Sequence, residues 1–310
     1  LMDKQIQRSG RGDRHVIVTY YDFYTSYFTK DEKYLLFFNF RRNRHQVDEY
    51  GGVLLDDDTN IDMDEFYDTN ARPNLTAAES RELRMNIHFF HQYEIATKAL
   101  QVYHTFDRGR QENQFFDTPS AAPQGFYDHV EVDSAKTKDY AKLITLRNEF
   151  GIKGNLSKLF YNGYYAIRRY DMNYKYLDTD TLNVPVKGYE SYLGGRLSLD
   201  IDSIFTLTGW VELMDNGNYR IEGTLSSRWL EASLKQLQYS PSYLQQAYRG
   251  SHDAWNNNFG VVESSELSGF IHYRSKYFSI SPGVSLTRLN NYIYFKFGDF
   301  GQDQKVLPVQ

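Results

Sequence analysis

The densest array of potential ligands in this 310-residue chain is Asp56-Asp57-Asp58-Thr59-Asn60-Ile61-Asp62-Met63-Asp64-Glu65. Closely spaced carboxylates supply the oxygen donors that Ca²⁺ takes. The register of an EF-hand fails, however. Counted from Asp56, position six is Ile61 instead of Gly and position twelve is Tyr67 instead of Glu. The run therefore reads as a solvated acidic loop. The eight His residues show no metal-site spacing, and His88 and His91, three apart, fall on opposite faces of a strand. Cysteine is absent, which removes thiol catalysis, disulfides and Cys-based zinc. No Ser occupies a Gly-x-Ser-x-Gly elbow. Neither an enzyme nor a metal or cofactor is expected.

A different chemistry resides in charges that alternate with apolar residues. Arg147 and Glu149, Arg196, Glu212, Arg220 and Glu222, Arg228, and Arg274 each oppose the apolar parity of their own segment. Lining a water-filled lumen, charges of both signs would set a local field that tunes solute selectivity. On a packed sheet they would pair across strands and brace it. The two roles are compatible.

The segments carrying these charges alternate with a period of two. In Phe278-Ser279-Ile280-Ser281-Pro282-Gly283-Val284-Ser285-Leu286-Thr287 every even position is apolar or Pro, and every odd one is Ser, Thr or Gly. A strand turns these into one greasy and one small polar face. Leu193, Leu197, Leu199 and Ile201 repeat the pattern, as do Phe205, Leu207, Val211 and Leu213. Segments of about ten alternating residues separated by turns mark a membrane-spanning β-barrel. No run approaches the roughly 18 apolar residues of a membrane helix, and mean hydropathy is -0.63. A barrel tolerates this, because only alternate side chains meet lipid. The 27 Tyr, 21 Phe and 3 Trp suit interfacial girdles. A net charge of -5 gives no support for nucleic acid as a partner.

About thirteen strands are predicted, from His15–Thr29 to Asn291–Phe297, in an all-β, up-and-down antiparallel transmembrane barrel. Short turns alternate with long loops near 46–80, 108–136 and 240–257, and Asp215-Asn216-Gly217-Asn218 carries a hairpin-turn signal. Pro282-Gly283 is expected to form a bulge. Residues 1–310 read as a single barrel domain. Leu1-Met2-Asp3-Lys4-Gln5 lacks the pattern of a signal sequence, so either one has been removed or the chain is a piece of a longer protein. If the reading holds, Leu197, Leu199, Leu207, Val211, Phe278, Ile280 and Val284 form an exposed apolar belt. In the alternative, a soluble β-sandwich that binds carbohydrate, they enter a two-sheet core.

The stretch YSPSYLQQAYRGSHDAWNNNF, Tyr239 to Phe259, is unusually apolar for a connection. Tyr243, Leu244, Tyr248, Trp255 and Phe259 predict an ordered loop whose burial offsets the entropy of ordering. Such a loop holds Arg249, His252 and Asp253 at a pore mouth, or serves only as an aromatic anchor. With its Tyr-rich hairpins the stretch resembles the outer-membrane β-barrel porin family of the Bacteroidota, most strongly over Tyr239–Phe259 and less so from about Tyr140 to Leu289. The resemblance implies a longer chain, location in the outer membrane in contact with its lipid, and passive diffusion of small hydrophilic solutes. It supplies no catalytic residues. A barrel-anchored adhesion or assembly role, with the long loops as binding surface, is the alternative.

Overall fold

The computed structural model describes residues 2–8, 15–52, 54, 72–123, 125–127, 130–131, 133–176, 186–202, 204–300 and 303–310. The acidic run 56–65 lies outside these residues. Eleven consecutive strands pair antiparallel: β1 Met2–Arg8, β2 His15–Phe28, β3 Tyr34–Asp48, β4 Glu79–Ala96, β5 Leu100–Asp117, β6 Thr137–Leu156, β7 Leu159–Tyr176, β8 Val186–Ile201, β9 Phe205–Met214, β10 Tyr219–Ser227 and β11 Leu230–Tyr239. Two short strands, β12 Ala247–Arg249 and β13 Ala254–Asn256, form a ribbon within the following loop. The main sheet then continues through β14 Val262–Ile271. Beyond it, β15 Tyr273–Arg274 pairs with β16 Ser279–Ile280, and β17 Gly283–Asn290 returns along β14. A final ribbon joins β18 Tyr294–Phe300 to β19 Asp303–Val309. The main sheet thus holds 13 strands, and no ladder joins β1 to β17 among the described residues.

The number matches the expectation but the membership differs. Met2–Arg8 joins the sheet, whereas the segment expected at Asn291–Phe297 belongs to the separate β18–β19 ribbon. Strand β5 runs to Asp117, so the loop expected from Arg108 begins at Thr118. Pro282 produces no bulge. Phe270 pairs with Gly283 and Tyr273 with Ile280, so the register is continuous across the gap. Pro282 lacks the N–H the ladder needs, yet its carbonyl still accepts from Ile271 N–H at 2.9 Å.

Strands β9–β11 and β14 are 9 or 10 residues long, close to what a tilted strand needs to cross a bilayer. Strands β3–β8 have 15 to 20. Their turns at 29–33, 97–99, 157–158 and 202–204 are short and lie at one end, so the excess length rises toward the long loops. The hairpin turn at Asp215–Asn218 is a short connection on the long-loop side.

The outward parity is apolar and uncovered. Leu197, Leu199, Leu207, Val211, Phe278, Ile280 and Val284 are all exposed, so none enters a two-sheet core and the sandwich alternative fails. Paired registers show how the belt runs. Tyr34, Tyr93, Val102, Ile152, Gly163, Gly195, Val211 and Ile221 are successive partners, and the same row ends in Gln236, Ser265 and Arg288. On β17 the exposed apolar positions of the parity that carries Arg288 are instead Val284 and Leu286, nearer the short turns. A belt that crosses the registers diagonally is what strands tilted against the membrane normal produce. Tyr27, Phe28, Trp229, Tyr273 and Tyr277 are exposed beside the short turns, where an interfacial girdle belongs. Above Tyr189 the outward parity turns charged, with Lys187 Nζ 3.3 Å from Asp171.

Candidate pore wall and its inward loop

The polar parity lies on the concave side. Arg147 on β6 reaches Glu212 on β9 at 3.2 Å, with two strands between them. The Tyr103 hydroxyl on β5 accepts from Asn162 Nδ2 on β7 at 3.0 Å. Side chains from non-adjacent strands meet only if the sheet curves toward them. The buried residues Tyr103, Ala166, Met172, Tyr174 and Tyr192 also lie on this side of β5–β8.

Six of the eight charges singled out in the sequence share this wall. Arg147 pairs with Glu149 at 2.9 Å as well as with Glu212. Tyr164 OH donates to Glu212 at 2.6 Å and accepts from Trp210 Nε1 at 3.4 Å. Arg220 pairs with Glu222 at 2.7 Å and its guanidinium lies 3.8 Å from the centroid of Trp210. Arg196 lines the same 590 Å³ cavity from β8. The other two stand apart. Arg228 occupies the β10–β11 turn, not a strand, beside a small cleft lined by Asp200 and Thr206. Arg274 is exposed on β15 near the tip of its hairpin. Missing from the sequence reading were Lys153, Arg168, Glu190 and the aromatic members Tyr103, Tyr164, Tyr192 and Trp210. Arg168 Nε donates to Glu190 at 2.6 Å, and Tyr192 OH reaches the same carboxylate at 2.8 Å. Parity alone was enough to find Glu190 and Trp210, which precede by two residues the inward Tyr192 and Glu212.

Several inward tyrosines lie flat over a glycine on the adjacent strand. Tyr103 pairs with Gly151 and Tyr164 with Gly194. A Cβ on either glycine would stand 2.3 to 2.4 Å from the phenol ring. The glycines are the sockets that let the rings lie against the wall.

The connection 240–261 folds onto this wall. Ser242 caps a single helical turn, Tyr243–Gln246, in a capping box with Gln245. Tyr243 packs on Tyr170 at 4.8 Å between ring centroids, and Tyr248 on Tyr174 at 5.8 Å. Trp255 stacks against Tyr248 at 4.6 Å, and its Nε1 donates to the Leu244 carbonyl at 2.7 Å. Ser251, with no exposed surface, donates its backbone N–H and its hydroxyl to Asp139 Oδ1 at 2.8 and 2.6 Å. His252 Nε2 is 2.6 Å from Thr137 Oγ1, and its ring stacks on Tyr127 at 3.9 Å. Tyr127 OH in turn donates to Asp117. Burial pushes the phenols of Tyr127, Tyr243 and Tyr248 above the usual tyrosine range, so all three are neutral. Two long connections therefore interlock, and the loop lines a 770 Å³ cavity with Tyr170, Tyr192 and Glu212. Arg249 is exposed and lines a separate 580 Å³ cavity with Tyr140 and Tyr248.

An antiparallel sheet with an apolar convex face and a charged concave face defines the wall of an outer-membrane β-barrel. The chain belongs to the family described as "putative porin", whose model matches residues 4–305. No curated protein sequence matches it. Among solved structures it is similar to the copper transporter OprC, with TM-score 0.67 and 11% identity over 99% of this chain and 50% of that one. It is also similar to BauA, the ferric preacinetobactin receptor of Acinetobacter baumannii, with TM-score 0.53 and 8% identity over 99% and 51%. FyuA, the ferric yersiniabactin uptake receptor of Yersinia pestis, gives TM-score 0.55 and 10% identity over 94% and 49%. The chain spans about half the length of these structures. At such identities they establish the fold alone, that of an outer-membrane β-barrel.

Proposed function

We propose that the concave wall lines an aqueous path for passive diffusion of small hydrophilic solutes, and that residues 1–310 act as one barrel domain. The observation that carries this reading is the division of the sheet. Exposed Leu, Val and Ile cover the convex face, while Arg147, Glu149, Arg196, Glu212, Arg220 and Glu222 line the concave one. Selection is by sieving and by the field of these charges, not by bond chemistry. In this reading the loop 240–261 narrows the path from one side, and Arg249, His252 and Asp253 act where solutes enter.

The full-length protein in planar lipid bilayers is expected to give stepwise ion conductance. Deleting residues 243–258 is expected to raise the size of each step, because the loop occupies lumen space. Absence of any current from both proteins would reject the channel reading in favour of a barrel that only anchors its loops.

A further inference from the structure

The charges around the 590 Å³ cavity do not cancel. Arg147 is matched by Glu149 and Glu212, and Glu222 holds Arg220 at 2.7 Å and Lys235 at 3.6 Å. Two further cations line the same cavity, Lys153 and Arg196. Among the described residues neither has a carboxylate within ion-pair distance. The contacts of Lys153 are aromatic, with its Nζ 5.0 Å from the Phe90 centroid and 5.6 Å from that of Tyr103. Ring faces attract a cation and orient it without neutralising it. Arg196 is exposed to the lumen.

The two cations stand on one rung. Lys153 pairs with Asn162 across β6–β7, and Asn162 with Arg196 across β7–β8. Two ladder spacings separate their backbones by about 10 Å, a span that two long side chains close around a single small group. Asn162 lies between them, its side-chain amide held by the Tyr103 hydroxyl at 3.0 Å. Arg presents a planar fork to an oxyanion and Lys a point charge, while the amide fixes the middle of the rung.

We propose that Lys153, Asn162 and Arg196 form a binding station for a compact oxyanion, the phosphate or carboxylate of a small solute. The proposal rests on the reading of the concave wall as a solute path. Its role is to raise the local concentration of anionic solutes beside an otherwise neutralised wall.

The test combines binding and conduction on the full-length protein. Calorimetric titration in detergent with inorganic phosphate, and separately with succinate, is expected to give saturable binding to one or both, and the preferred probe identifies the oxyanion. The Lys153→Gln/Arg196→Gln double variant is expected to weaken that binding at least about tenfold, since each lost charge near 4 Å is worth roughly fivefold even in water. Arg196→Gln alone, at an exposed position, keeps the test open if the double variant does not fold, with roughly a fivefold loss expected. In bilayers under a salt gradient, the same substitutions are expected to move the reversal potential toward cation selectivity. No saturable binding of either probe, or binding unchanged in the variants, overturns the station. Binding lost on substitution in a protein that passes no current would retain the station and overturn the channel reading alone.

Discussion

Replacing Asp139 with Ala is expected to release the loop 240–261 from the wall and to speed trypsin cleavage after Arg249 by about tenfold or more. The Asp139 carboxylate is the acceptor for both donors of Ser251, a residue with no exposed surface. Removing it strands two buried donors, at about 1–3 kcal/mol for each group left without a partner. Each 1.4 kcal/mol or so is tenfold in the population of the released loop, and cleavage follows that population when opening is fast. Trp255→Ala is expected to act in the same direction, because it removes the Tyr248 stack and the hydrogen bond to Leu244. The single-channel conductance of both variants is expected to rise as the loop leaves the lumen. Cleavage at the wild-type rate in Asp139→Ala would show that other contacts, such as His252 on Tyr127, hold the loop without it.

The barrel wall was legible because its signal is local. Alternation over ten residues fixes which side chains share a face, and in Leu193–Ile201 and Phe278–Leu286 it is nearly uninterrupted. The order of the loop was legible too, since Tyr243, Tyr248 and Trp255 have no reason to stand together in a solvated connection. What the loop folds against was not. The bonds from Ser251 to Asp139 and from His252 to Thr137 span more than a hundred residues, and nothing in the spacing of either segment announces the other. The wall's aromatic members escaped for a related reason. On β7 the residues Phe160, Tyr164, Ala166, Tyr170, Met172 and Tyr174 form the more apolar parity, yet that parity faces the concave side. Rings on the concave side are covered by cations, as Trp210 is by Arg220 and Tyr192 by Arg147 at 4.6 Å. Hydrophobicity read along one strand cannot separate such a ring from one that meets lipid. Only the register, which brings Tyr164 opposite Gly194, makes the difference visible.

That pairing yields the second large effect. Gly194→Ala is expected to destabilise the barrel by about 1–3 kcal/mol, the usual range for overpacking a filled site. The added methyl would stand 2.3 Å from Tyr164 Cζ and 2.4 Å from its hydroxyl oxygen, with 2.7 Å to Cε2. The ring must leave the wall, and with it go the hydrogen bonds to Glu212 and from Trp210. Among the described residues Glu212 then keeps Arg147 as its only partner, so the substitution loosens the charged rung as well as the packing. The urea midpoint for unfolding from detergent micelles is expected to fall accordingly. The partner variant Tyr164→Leu removes the ring, so Gly194→Ala introduced into that background is expected to cost little. A coupling of this sign is the signature of two residues that share one space. Equal costs for Gly194→Ala in both backgrounds would mean that the wall yields elsewhere and that Gly194 is not the socket for Tyr164.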